Sequence, residues 1–66
     1  MIDMAHKAID TAFTTRIAEL WAVLMQDAKA SSDEVSDMAV MRFNTGLRLA
    51  IKAREKAHEL IDQFNP

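Results

Sequence analysis

The stretch Ala30-Ser31-Ser32-Asp33-Glu34 is the one break in a chain that otherwise has the character of helix. Ser31 followed three residues later by Glu34 fits a capping box, and Ser32 is an equally good N-cap for a helix that starts beside it. Lys29, just before the break, places a cation where the last turn of a helix favours one. The stretch therefore predicts the end of one helix and the start of a second.

The residues on both sides of this break favour helix. Ala, Leu, Met, Glu, Lys, Arg and Gln fill 35 of the 66 positions, and these residue types lose little conformational freedom in a helix. The β-branched residues are scattered, and no segment alternates polar and apolar residues with period two. We expect an all-α domain over residues 1–66, with helix 1 over about 4–29, a turn over 30–32 and helix 2 over about 33–63. Because the helices are nearly equal in length and the turn is short, an antiparallel hairpin is the expected arrangement.

Length and composition exclude several classes of protein. A chain of 66 residues and 7.4 kDa is too short for a second domain, and the absence of cysteine excludes disulfide scaffolds, Cys-ligated zinc and thiol catalysis. No apolar run approaches the ~18 residues of a membrane span, and the N-terminus lacks a signal-peptide pattern, so we expect a cytoplasmic protein without a membrane partner. Neither a Gly-rich phosphate loop nor a Ser-His-Asp arrangement is recognisable, so we expect neither an enzyme nor a cofactor.

Helix 2 carries more apolar surface than one neighbouring helix can cover. Its apolar residues follow two adjoining edges that together take up close to half of the helix circumference, wider than the ~100° stripe of a simple surface helix. A row of small residues that includes Gly46 would let a neighbouring backbone approach closely, either helix 1 of the same chain or a second chain. We therefore expect a homodimer or higher oligomer, most economically a four-helix bundle. The predicted interface consists of Trp21, Met25, Ala39, Val40, Phe43, Gly46, Leu47, Ala50 and Ile51.

Two histidine–aspartate pairs have the spacing of one helical turn, His6 with Asp10 and His58 with Asp62. In an antiparallel hairpin both pairs lie at the same open end, and imidazole and carboxylate groups can ligate zinc or a similar ion. The spacing is weakly specific, however, and Asp four residues after His more often marks a surface hydrogen bond or ion pair. We therefore assign no metal site and regard these four side chains as the candidate ligands if one exists.

A row of cations follows one face of helix 2, formed by Arg48, Lys52 and Lys56. Such a row could follow a phosphate backbone. The net charge of −2 gives no general attraction to nucleic acid, and no aromatic residue is interleaved with the row for base stacking. We therefore expect a solvated, salt-bridging face and no nucleic-acid partner.

Two families resemble parts of this pattern. The chain length and the Ser31–Asp37 turn between two helices resemble the Rop family of plasmid RNA-regulating four-helix bundles, which bind RNA through polar and basic residues of the first helix. The resemblance implies an RNA- or DNA-binding bundle, although the matching helix offers only Lys7, Arg16 and Lys29 as cations. Separately, Asp37–Phe64 resembles the C-terminal helices of type III secretion needle and rod subunits. Those subunits assemble through this C-terminal helix. This second resemblance implies a secretion subunit or its small chaperone, although the Pro-containing turn common in needle subunits is absent.

The function that these patterns favour is protein–protein assembly without catalysis. The expected mechanism is burial of the apolar edge of helix 2 against a partner, which is either a second copy of the chain or another helical protein. The secretion-subunit and nucleic-acid readings remain the two alternatives.

Overall fold

The computed structural model describes residues 1–32 and 34–64 and shows a hairpin of two helices. Helix α1 spans Ile2–Ala30 and helix α2 spans Asp37–Gln63. The helices pack side by side in an antiparallel sense, giving a particle of 53 × 16 × 8 Å. The predicted all-α hairpin is confirmed, and its thickness is that of a single layer of helices. Neither helix of the described residues is long and apolar enough to cross a membrane.

The connection between the helices is longer than the sequence predicted. Helix α1 continues through Ala30, and the N–H of Ser31 closes it by donating to the carbonyl oxygens three and four residues earlier, at 3.2 and 3.1 Å. Helix α2 begins at Asp37 rather than at Asp33, which lies outside the described residues. Ser31 and Ser32 do lie in a turn, as predicted, but the connection is longer than 30–32, and helix 2 begins four residues later than predicted. The good helix formers that precede Ser31 extend α1 into the predicted turn.

Ser36, rather than Ser31 or Ser32, caps helix α2. The Ser36 Oγ accepts a hydrogen bond from the Ala39 N–H at 3.1 Å, and Asp37 places negative charge in the first turn. Both groups satisfy or complement the exposed amides at a helix N-terminus. Ser32 has a φ of 59°, in the left-handed region, so its backbone turns the chain instead of starting a helix. Capping by a serine was predicted, but for the wrong serine of this polar stretch.

The two helices share one thin seam. Leu20, Ala28 and Ala39 are buried, with 9%, 8% and 3% of their surface exposed, and no side chain of residues 1–32 and 34–64 is less than 2% exposed. Apolar side chains that are half-buried extend the seam in both directions: Ile2, Ile9, Phe13, Ile17, Leu24, Phe43, Leu47, Ala50, Ala57 and Ile61. A core this small is what a chain of about 60 residues can bury by itself.

Gly46 lets the two helices approach each other closely. A Cβ atom at this position would lie 2.5 Å from Cδ2 of Leu20 and 3.3 Å from its Cδ1. Glycine in a helix interior costs about 1 kcal/mol relative to alanine, and the space that it leaves for a buried leucine offsets this cost. Gly46, a member of the row of small residues, therefore allows α1 to pack closely against α2 within one chain.

We expect Gly46→Val to lower the free energy of unfolding by about 1–3 kcal/mol, because overpacking against Leu20 outweighs the better helix propensity of valine. Urea unfolding followed by circular dichroism measures the change. Asn44→Val introduces the same side chain at an exposed position two residues earlier and should change the free energy by less than about 0.5 kcal/mol. Equal losses in the two variants would show that the Leu20 contact is not the cause.

Candidate functional site

The four side chains predicted as candidate metal ligands meet at the end of the hairpin away from the connection. Asp62 Oδ1 lies 2.8 Å from His6 Nε2, and Asp10 Oδ1 lies 2.7 Å from His58 Nε2. The two Nδ1 atoms face each other at 2.5 Å, with the ring centroids 4.7 Å apart and an angle of 25° between the ring planes. Together with Arg54, which binds Asp10, these residues form what we refer to as the histidine cluster.

Each aspartate in the cluster binds the histidine of the other helix rather than the one in its own turn. The four-residue spacing places His6 and Asp10 on one face of α1, one turn apart, and His58 and Asp62 likewise on α2. Because the helices are antiparallel, the aspartate of one helix lies level with the histidine of the other. The sequence predicted that the two pairs lie at the same end, and the structure brings them together with crossed pairing.

The cluster does not gather its side chains around a common point. The carboxylates bind the Nε2 atoms, while the two Nδ1 atoms face each other. Among the residues that the structure describes, no group of three or more His, Asp or Glu side chains is placed to hold one metal ion. Two nitrogens at about 2.0–2.1 Å from a tetrahedral zinc ion lie about 3.3 Å apart, so the 2.5 Å between the two Nδ1 atoms does not match a zinc site. The four side chains form a linear chain of contacts instead.

Arg54 links the histidine cluster to the apolar seam. Its Nε donates a hydrogen bond to Asp10 Oδ1 at 2.9 Å, and its guanidinium carbon lies 5.1 Å from the centroid of the Phe13 ring. Asp10 Oδ1 therefore accepts from both Arg54 and His58. The hydrogen bond from Arg54 and, after it, the one from His58 lower the pKa of Asp10, because both stabilise its ionised form.

An apolar groove runs between the helices along one side of the hairpin. Near the connection its lining includes Leu20, Val23, Leu24, Met38, Ala39, Met41, Phe43 and Gly46. Toward the open end half of its lining residues are alanines, and the lining includes Ile9, Ala12, Phe13, Ala50, Ala53, Arg54 and Ala57. Arg16 borders both stretches, so we treat them as one surface and refer to it as the groove.

The predicted interface residues separate into two sets. Four of them line the groove: Ala39, Phe43, Gly46 and Ala50. The other five do not: Leu47 is half-buried, and Trp21, Met25, Val40 and Ile51 are 57%, 41%, 41% and 40% exposed. The groove is also lined by Val23, Met38 and Met41, which were not among the predicted interface residues, although their apolar character was a usable signal.

The predicted cationic row is exposed to solvent. Arg48, Lys52 and Lys56 are all exposed residues of α2. Lys56 Nζ lies 3.6 Å from Glu59 Oε1, so an acidic side chain one turn away offsets part of the positive charge. An exposed pair of this kind contributes little to stability. The expectation that the row binds no nucleic acid stays a prediction.

Asp10→Asn is expected to lower the free energy of unfolding at pH 7, because the charged acceptor of two hydrogen bonds is lost. The folded-state pKa of Asp10 lies below the ordinary value of an aspartate, so the contribution of its charge is fully present above that ordinary value and is lost as the pH falls through the folded-state pKa. The difference between wild type and Asp10→Asn should therefore shrink as the pH is lowered below the ordinary pKa of an aspartate. Urea unfolding at a series of pH values measures this difference.

The control is Glu34→Gln, which removes an exposed carboxylate from the connection, outside the histidine cluster. This variant should follow the wild type at every pH. A difference for Asp10→Asn that does not change with pH would mean that the charge of Asp10 is not what stabilises the hairpin.

No known protein family, curated protein or solved structure is detectably similar to this chain. Its function therefore has to be inferred from its own surface and geometry. The groove and the histidine cluster are the two features that offer a basis for that inference.

Proposed function

We propose that the chain is a homo-oligomerisation module that pairs with a second copy through the groove to form a four-helix bundle. The observation that carries the proposal is the accessible surface of 5388 Å². A compact folded protein of 7.4 kDa exposes about 4,200 Å². The Cα radius of gyration is 15.4 Å, whereas a compact chain of this length has about 11 Å. The hairpin thus exposes surface that a compact domain of its mass would bury.

Much of the exposed surface in the groove is apolar. Val23, Met38 and Met41 border it with 50%, 65% and 67% of their surface exposed. Four alanines line the part of the groove toward the open end, and they would let the backbone of another helix approach closely. A second copy that docks on the groove would cover these apolar side chains.

The area that pairing could bury fits a stable dimer. Two separate hairpins expose twice 5388 Å², about 10,800 Å², whereas one compact protein of the combined mass exposes about 7,000 Å². The difference of about 3,800 Å² is an upper value, because a bundle of long helices is less compact than a sphere. Obligate homodimers bury about 2,000–5,000 Å², so even a bundle that recovers half of this area lies near that range.

Charged side chains border the groove and suit a two-fold arrangement. Arg16, Asp27 and Arg42 take part in its lining, and Arg42 Nη1 lies 4.0 Å from Asp27 Oδ2. In a two-fold interface the same surface of each copy meets its equivalent. Because the border of the groove carries both positive and negative side chains, two copies can face each other with opposite charges in contact.

Sedimentation equilibrium at about 1–200 μM tests the proposal. The wild type should reach a plateau at the mass of a dimer. Val23→Glu should raise the dissociation constant at least tenfold, because it places an unpaired charge in the buried interface. Met25→Glu is the matched control: it lies on the same helix, about 200° around the axis from Val23, and outside the groove. This control should dimerise like the wild type, and circular dichroism shows that both variants are helical.

A wild type that is monomeric throughout, or a Val23→Glu variant that dimerises normally, would contradict pairing through the groove. Loss of association in Met25→Glu alone would place the interface on the side of Trp21. A mass that keeps rising without a plateau would favour the secretion-subunit alternative. Salt-sensitive binding of RNA or DNA in a gel-shift titration would favour the Rop-like alternative.

A further inference from the structure

The histidine cluster ties α1 to α2 at the end of the hairpin where no connection joins them. Its contacts run in a line from Asp62 to His6, from His6 to His58, and from His58 to Asp10, at 2.8, 2.5 and 2.7 Å. An ionised carboxylate only accepts hydrogen bonds, so each outer contact requires a proton on the Nε2 atom of a ring. The central contact joins two ring nitrogens and requires one proton between them, because two lone pairs or two N–H groups would repel each other.

The number of protons on the two rings decides whether all three contacts are hydrogen bonds. Three contacts need three ring protons, whereas two neutral imidazoles carry two and two imidazolium ions carry four. All three hydrogen bonds form only when the two rings together carry one positive charge. We propose that His6 and His58 bind a single shared proton, which acts as a pH-dependent clamp on the open end of the hairpin.

The charged groups around His6 and His58 favour the state in which the two rings share one extra proton, rather than states with two extra protons or none. Asp10 on α1 and Asp62 on α2 bring two negative charges, and Arg54 brings one positive charge onto Asp10. One shared proton therefore makes the whole cluster neutral. A second proton would place like charges on rings whose centroids are 4.7 Å apart. Asp3, Glu55 and Glu59 are the other acidic residues within three positions of His6 or His58 in the sequence, and Lys7 and Lys56 are the cations within the same distance.

The shared proton gives the stability of the hairpin a maximum in pH. In an unfolded chain, histidines titrate independently near pH 6.5, so the two bind two protons well below this pH and none well above it. If the folded pair holds one extra proton, the unfolded state binds more protons than the folded state on the acid side. The free energy of unfolding there rises with pH. On the alkaline side the unfolded state binds fewer protons, and stability falls as the pH rises. A difference of one proton changes the unfolding equilibrium constant by up to tenfold per pH unit.

Unfolding of the wild type and of His6→Asn/His58→Asn between pH 5.5 and 8.5 tests the clamp. The chain contains two histidines, so the double variant has no imidazole left to titrate in this range. The wild type should be most stable near pH 6.5 and lose stability on both sides, whereas the double variant should show no such maximum. A wild type without the maximum, or a double variant that keeps it, would overturn the proposal. Because the contacts lie within one chain, this result does not depend on dimerisation through the groove.

An NMR titration of the histidine rings in the wild type supplies a test that does not rely on variants. The shared proton predicts that the resonances of both rings change together as the pH is varied, because each proton gained or lost belongs to the pair and not to one ring. Independent titration of the two rings over one common range would overturn it. So would a stabilisation by added zinc that EDTA reverses, because the two Nδ1 atoms would then hold a metal ion instead of a proton.

Discussion

The hairpin depends on the side chain of Leu20 occupying the space that Gly46 leaves on the facing helix. A Cβ at Gly46 would lie 2.5 Å from Leu20, so the two helices could not hold this spacing with a larger residue unless the leucine moved. Leu20 is one of three buried residues in the described part of the chain. With a core this small, a single contact between helices accounts for a large share of the fully buried apolar surface.

A single layer of two helices limits what the chain can do by itself. Two rods in contact bury one seam, and every other apolar side chain stays at the surface. This limit explains how a chain with ordinary apolar content has a small core and a long apolar groove at the same time. It also excludes a deep enclosed pocket, so that recognition of an elongated surface such as another helix suits the shape better than recognition of a small molecule.

Local patterns in the sequence predicted the helices and the hairpin, because helix propensity and apolar periodicity act within a few turns. They also predicted that both histidine–aspartate pairs lie at one end. They did not predict which serine caps α2, because Ser31, Ser32 and Ser36 have equivalent chemistry and the choice depends on how far α1 continues. Nor did they predict the crossed pairing of Asp10 with His58, which depends on how the two helices are aligned lengthwise.

The histidine cluster and the Leu20–Gly46 contact fix the lengthwise alignment of the two helices at two separate points. Sliding one helix by a single residue moves its side chains by 1.5 Å and turns them by 100°, which would break the contacts at both points. The segments between the points, 6–20 on α1 and 46–58 on α2, therefore cannot gain or lose a residue without misaligning one of them. The connecting segment 31–36 lies outside both and is free to vary in length, so insertions and deletions in relatives of this hairpin should concentrate there.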